Sequence, residues 1–421
     1  MSVKRVLLLG LLLVVAIMMV SCGDKDSEGS SGDGVSEDTV ELVMYSWRPE
    51  DRAMYEKAIA AFNEQYPAIT IDFQPYESTE YNTILTNALV SGSGPDIIQL
   101  RPYSGATTIA DNDYLLPLDE IAGLGSFNEQ YLDAARGSDG KVYGVPLSLN
   151  SGVIFYNKKL FDELGLEEPT TYEELLEVCQ ALQAEGITPI AQSGRAAYLL
   201  SMTHAVIAPT AYGGNAFVEG GMDLKNPSFV ESIERMQELA EFFPEDFIAI
   251  EDDAAQSLLY TEQAAMYING DYRLATFEST APDMEFGVIP GLAEEPGGTP
   301  MVTTWVDGSY AAVKNTEHPE EVMLFMEFLA SKEFGEIFSN EVNRLSAVPG
   351  VEAEHPIVQE ISAASEASAT PYLMLVHYGE GEPTTKTVFE NALQGMYLEE
   401  VTVDGVIQEA MENAKRAAAS E

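Results

Sequence analysis

Beyond residue 39 the chain alternates short apolar runs of strand length with longer stretches in which apolar residues recur every three or four positions. Leu42 to Tyr45 is the first such run, and Asp51 to Tyr66 then carries Tyr55, Ile59, Phe62 and Tyr66 on one helical stripe. Ile69 to Phe73 predicts a second strand and Tyr81 to Leu89 a second helix. Ser91-Gly92-Ser93-Gly94-Pro95 breaks that helix before a buried strand from Asp96 to Leu100. Strand, helix and strand in succession mean α/β winding, with parallel strands joined by crossovers. The pattern returns without a sequence repeat. Gly152 to Tyr156 reads as a strand, and Thr171 with Glu174 forms a capping box for a helix carrying Leu175, Val178, Cys179 and Leu182. Ala264 to Ile268, closed by Asn269-Gly270, and Phe286 to Ile289, ended by Pro290-Gly291, are further strands. Gly291 to Pro300 is loop-like, Val302 to Val313 returns to strand character, and Pro319 to Ala330 places Val322, Phe325, Met326 and Leu329 on one face. Val406, Ala410, Met411 and Ala414 mark a last helix. About 380 ordered residues exceed what one core organises, so two domains are expected.

The N-terminus has a different pattern. Lys4 and Arg5 precede an apolar run from Val6 to Val20, too short for the roughly twenty residues that cross a bilayer and matched to the core of an export signal. Met19-Val20-Ser21-Cys22 has the small residue before cysteine that a lipobox requires, with Met19 where leucine is usual. Residues 1–21 are therefore expected to be a lipoprotein signal peptide, with Cys22 accepting the lipid. An uncleaved anchor is the alternative, although no stop-transfer charges follow. Residues 22–38, rich in Gly, Ser, Asp and Glu, read as a flexible linker. Asp24, Asp26 and Asp33 lack the spacing of a calcium-binding loop. No later stretch is long and apolar enough to span a membrane, so a tethered extracytoplasmic body is expected, at the membrane through its lipid.

Charge narrows the partners. With 69 acidic and 21 basic residues the net charge is −48, a field that repels nucleic acid and anionic lipid. A strongly hydrated surface is the simplest reading of that acidity. Once Cys22 is lipidated, Cys179 has no partner, and its helical spacing with three apolar neighbours makes it a small core residue. The chain has no phosphate-binding or dinucleotide glycine motif, no HExxH and no GxSxG. Its four histidines show no metal spacing, so neither cofactor nor metal is expected.

Open α/β sheets bind ligands beyond the carboxyl ends of their strands. The residues in those places are Tyr45, Trp47 and Arg48, then Gln99, Arg101 and Tyr103, then Asn150, Asp271 and Tyr272, and lastly Trp305 and Asp307 beside Gly308. Flat rings beside amides and carboxylates suit sugars, which offer C–H groups to a π face and hydroxyls to in-plane partners. On this reading Trp47, Tyr272 and Trp305 stack on the ligand, while Gln99, Asn150 and Asp271 take hydroxyls. Tyr198, His204, Tyr372 and Tyr378 are further candidates. If Arg101, Arg195 and Arg273 converge on the cleft, the cargo is anionic.

Several segments carry a family likeness. Asp139-Gly140-Lys141-Val142-Tyr143-Gly144-Val145-Pro146 through Asn150 to Lys158 resembles the passage between lobes in family 1 extracellular solute-binding proteins. Ala265-Met266-Tyr267-Ile268-Asn269-Gly270-Asp271-Tyr272 resembles their AMxxNGxW element, with tyrosine for the usual tryptophan. Gly94-Pro95-Asp96-Ile97-Ile98 and Trp305 to Lys314 also match, and the similarity runs in order from Val40 to Ala418. The resemblance implies a two-lobed type II periplasmic-binding-protein fold of α/β class. One lobe would hold residues 39–149 and 306–346, the other 150–305 and 347–421, each a mostly parallel sheet flanked by helices. It also implies a monomeric, non-enzymatic receptor that closes on a mono- or oligosaccharide and delivers it to the membrane permease of an ABC importer. Relatives that bind maltose-like sugars have an acidic residue at the position of Asn150, so the identity of the sugar stays open. So do three rivals: a receptor for an anionic solute such as a uronate oligosaccharide or glycerol phosphate ester, a sensory binding protein, and a secreted glycosidase.

Overall fold

Residues 39–420 are described by a computed structural model. The segments expected to be a signal peptide over 1–21 and a linker over 22–38, with Cys22, lie outside the described residues. The strands are β1 (Val40–Ser46), β2 (Ile69–Pro75), β3 (Ile97–Leu100), β4 (Val145–Asn157), β5 (Thr188–Ala191), β6 (Ala264–Gly270), β7 (Phe286–Ile289), β8 (Val302–Ala312), β9 (Leu345–Ser346) and β10 (Ala369–Pro371). They pair in the order β2-β1-β3-β8-β4-β6-β5, with β7 and β9 on β4 and β10 on β8. β1 is parallel to β2 and β3, and β5 is parallel to β6, as the crossover helices require. β8 runs antiparallel to β3, and β4 antiparallel to β6, β7, β8 and β9, so the sheet is mixed.

Two strands run the length of this arrangement. β4 pairs with β8 from Val145 to Ser151 and with β6 from Gly152 to Tyr156, changing partner in mid-strand. β8 pairs with β10 through Val302–Thr304, with β4 around Trp305 and with β3 through Ser309–Ala312. β4 is buried along almost its whole length, with apolar runs at Val145–Leu147 and Val153–Tyr156 and the buried polar Ser148, Asn150 and Ser151 between them. The buried apolar side chains form clusters on either side of this crossing. Two draw on residues between Leu42 and Leu147 and between Tyr310 and Val348. The other two draw on Val153 to Leu292, Trp305, Leu345 and residues from Val358 to Ala410.

The sequence pattern located most elements to within a few residues. The helix expected over 51–66 is Arg52–Gln65, the one expected over 81–89 is Ser78–Ser91, and the last is Val403–Ser420. The strand expected over 152–156 is thirteen residues long, because Val145–Leu149 pairs with β8 before the run that alternation alone picks out. Asn269-Gly270 does not close β6 but completes it, paired with Val153 and Gly152. Thr171 caps its helix by accepting the Glu174 N–H at 3.2 Å. The Glu174 carboxylate, however, reaches back to the N–H of Thr170 at 2.7 Å, one residue earlier than a reciprocal box. Cys179 is fully buried among apolar neighbours, and burial pushes its thiol well up, out of the nucleophilic range. Among the described residues no helix is long and apolar enough to cross a membrane.

Candidate functional site

A cavity of about 760 Å³ opens where the ends of β1 and β3 meet the middle of β4 and β8 and the turn after β6. Trp47, Arg101, Asn150, Tyr272, Trp305 and Asp307 all line it. Their positions follow from the strands. Trp47 comes one residue after β1, Arg101 one after β3 and Tyr272 two after β6, while Asn150 and Trp305 are direct cross-strand partners in β4 and β8.

Each of these side chains is held by its neighbours. Trp47 is 4% exposed, with the Arg101 guanidinium 4.2 Å from its ring centroid and Tyr81 edge-on at 5.4 Å. Arg101 is anchored by donating to the Ser78 carbonyl at 3.1 Å and hydroxyl at 2.9 Å. Tyr272 donates its hydroxyl to Asn269 Oδ1 at 2.8 Å, and its ring lies over Gly270, where a Cβ would come within 2.1 Å of it. Trp305 is 7% exposed and packs edge-on against Tyr372 at 5.3 Å. Asp307 forms an ion pair with Arg48. Asn150 is 1% exposed, and its Oδ1 has no hydrogen-bond partner. A buried acceptor of this kind is costly unless a ligand satisfies it.

The remaining candidates lie elsewhere. Gln99 is fully buried, accepting from the Ser46 hydroxyl at 2.8 Å and the Trp47 N–H at 3.2 Å and donating to Tyr55. It fixes the end of β1 and so the entry of Trp47. Asp271 is also buried. It accepts the Ser151 N–H at 3.0 Å, and desolvation raises its carboxyl to about 7. Tyr45 packs edge-on against Tyr76, and Gly308 lies beneath Trp47, where a Cβ would meet Cη2 at 2.5 Å. Tyr103 lines a second cavity of about 500 Å³, to which Trp305 also belongs. His204 is fully buried beside Ser232, with burial holding its imidazole down at about 3, and Tyr378 donates to the Met222 carbonyl.

Tyr198 and Tyr372 do enter the first cavity, together with Arg48, Met202, Arg273, Arg344 and Lys386. Five of the chain's 21 basic residues thus share one wall. Four of them are neutralised there: Arg48 by Asp307 and Glu50, Arg344 by Asp51, Arg273 by Asp252, and Lys386 by Glu390. Arg101 alone of the five has no carboxylate within ion-pair distance among the described residues, and Arg195 is exposed, paired with Glu251. The site is therefore rich in hydrogen-bond donors and acceptors but close to balanced in charge. Among the described residues no group of His, Cys, Asp and Glu is arranged to hold a metal.

The model of the bacterial extracellular solute-binding protein family matches residues 45–336 of this chain. The chain belongs to that family. An uncharacterized ABC transporter extracellular-binding protein of Pyrococcus horikoshii is 24% identical over 378 residues, spanning 86% of this chain and 80% of the relative. The multiple sugar-binding protein of Streptococcus mutans is 22% identical over 345 residues, spanning 78% and 79%. Among solved structures, RafE of Streptococcus pneumoniae in its apo form matches with a TM-score of 0.77 at 18% identity, covering 93% of this chain and all of that one. A chitin oligosaccharide binding protein matches with a TM-score of 0.74 at 22% identity, over 91% of this chain and all of that one. These solved structures thus share the mixed α/β fold described above.

Proposed function

We propose that this chain is an exported receptor that captures an uncharged mono- or oligosaccharide in the 760 Å³ cavity and passes it to the membrane subunits of an ABC importer. The observation that carries the reading is the make-up of the wall. Trp305, Tyr272, Tyr198 and Tyr372 supply apolar faces, and the buried Asn150 Oδ1 waits for a hydroxyl donor. Charge balance favours a neutral sugar, since four of the five cations already have carboxylates. Sugar-binding relatives in the same family support the same choice.

Two lobes are proposed, residues 39–149 with 306–346 and residues 150–305 with 347–421, joined by β4, β8 and the segment around β9. The division of the buried clusters supports this. Ligand touching both sides would favour closure by its differential affinity alone. A lipid on Cys22 would hold the receptor, as a monomer, beside the permease. On this reading the receptor binds without catalysis: of the three carboxylates on the wall, Asp307 and Glu50 are paired with Arg48, which leaves Glu77 where a glycosidase needs two free acids.

Calorimetry with sugars tests this. Tyr272→Ala and Trp305→Ala should each weaken binding tenfold or more, about 1.4 kcal/mol, with unfolding midpoints retained. Unchanged affinity in both variants removes these rings from the site. Labelled oligosaccharide recovered intact after long incubation fits a receptor, whereas cleaved products would make it a glycosidase.

A further inference from the structure

Two carboxylates, Asp252 and Glu390, stand behind the wall of the 760 Å³ cavity without bordering it. Each neutralises a cation that does border it, Arg273 for the first and Lys386 for the second. We propose that these two carboxylates set the charge selectivity of the site: they cancel the wall's two reachable cations and so make the receptor reject acidic sugars in favour of neutral ones. The inference rests on the saccharide reading above and assigns its specificity to residues that touch no ligand.

Exposure singles out these two pairs. The Arg48 and Arg344 side chains are 9% and 8% exposed, sealed into the wall, whereas Arg273 and Lys386 keep 25% and 19%, enough to meet a ligand. The fifth cation, Arg101, is spent on Ser78 and on the face of Trp47, and Glu77 on the same wall offsets its charge. Arg273 donates to Asp252 at 2.6 Å yet keeps a buried Nε–H with no hydrogen-bond partner, so a guanidinium released from Asp252 would have donors to spare for a ligand carboxylate. Both carboxylates also hold rings of the wall through the helix Tyr198–Ile207. Asp252 accepts the Tyr198 hydroxyl at 3.2 Å. Glu390 accepts the Ser201 hydroxyl at 2.6 Å, and Ser201, whose one proton is thereby used, accepts from the Tyr372 hydroxyl at 2.6 Å. Each carboxylate thus fixes a tyrosine and holds a cation in check. An acidic sugar entering the cavity would lose its hydration and find no net positive charge to replace it, against the field of a chain with charge −48.

The test is calorimetry of the purified chain with galactose against galacturonate, and with raffinose and stachyose against the same sugars oxidised to carboxylates at C6. Wild type should bind the neutral member of a pair at least tenfold more tightly. Glu390→Gln, which keeps an acceptor for Ser201, and independently Asp252→Asn should each move that ratio at least tenfold toward the acid, by an amount that shrinks as salt is raised. The two sites are separate, so one folded variant suffices. Lys386→Met added to Glu390→Gln removes the freed cation and should return the ratio to its wild-type value. A ratio unmoved in a folded variant, or a shift that survives the added Lys386→Met, means that the carboxylates only brace the tyrosines and overturns the inference. A wild type that binds the acid as tightly as the neutral sugar overturns it too, and in each of these cases the saccharide reading stands. Binding of no sugar of either kind would instead overturn that reading, and this inference with it.

Discussion

Gly308 and Trp47 act as one feature at the scale of single residues. A Cβ at position 308 would meet Trp47 Cη2 at 2.5 Å and the Leu100 carbonyl at 3.0 Å, so the indole can lie where it does only over glycine. Gly308→Ala should destabilise the protein by about 1–3 kcal/mol in urea unfolding and weaken sugar binding with it. Unaltered stability would mean that the ring is free to move. Asp271 supplies a pH signature. Its carboxyl stands at about 7 in the folded chain against about 3.9 when unfolded, so between those values the native state keeps a proton that the unfolded state releases. Its contribution to stability therefore falls as pH rises from about 4 to about 7 and is flat above. Asp271→Asn, which keeps an acceptor for the Ser151 N–H, should remove that decline. A difference between wild type and variant that is constant across this range would contradict the desolvated carboxyl. Sequence position made seven lining residues visible, Trp47, Arg48, Arg101, Asn150, Tyr272, Trp305 and Asp307, because each follows or interrupts an apolar strand. Met202, Arg344 and Lys386 were not visible in that way. Met202 and Lys386 belong to helices, and Tyr198–Ile207 is so apolar all round that no periodicity tells which face meets a cavity.

At the scale of elements, a buried charge cluster ties the start of the first helix to the crossing segments. Asp51, 3% exposed, accepts from Arg344 at 3.2 Å just before β9, and Arg48 beside it pairs with Asp307 on β8. Asp51→Asn removes one partner and leaves a buried guanidinium, which should cost about 3–5 kcal/mol. Asp133→Asn, at the exposed pair with Arg136, should cost less than about 1 kcal/mol. Similar losses for the two would show that the cluster braces nothing. The same contrast explains which elements the sequence made legible. Runs such as Phe286–Ile289 end at Pro-Gly and could be placed to the residue, whereas β9 and β10, two and three residues long, exist only through pairing with β4 and β8. No local pattern encodes that.

For the whole molecule, β4 and β8 are the claim on which the function depends: two continuous strands joining separately packed clusters, with Trp305 and Asn150 paired where they cross. A sugar present at a hundred times its dissociation constant should raise stability by about 2.7 kcal/mol, read as an upward shift in the unfolding midpoint. A midpoint unmoved by a sugar that calorimetry shows to bind would contradict that linkage. The acidity legible in the composition governs the surface, whereas the cavity wall gathers five basic residues, four of them paired with carboxylates on or behind the wall, a balance that composition conceals. Small-angle scattering of the purified chain, with and without a saturating saccharide, tests closure most directly. The account predicts a smaller radius of gyration with sugar bound. An unchanged radius at proven saturation would contradict it.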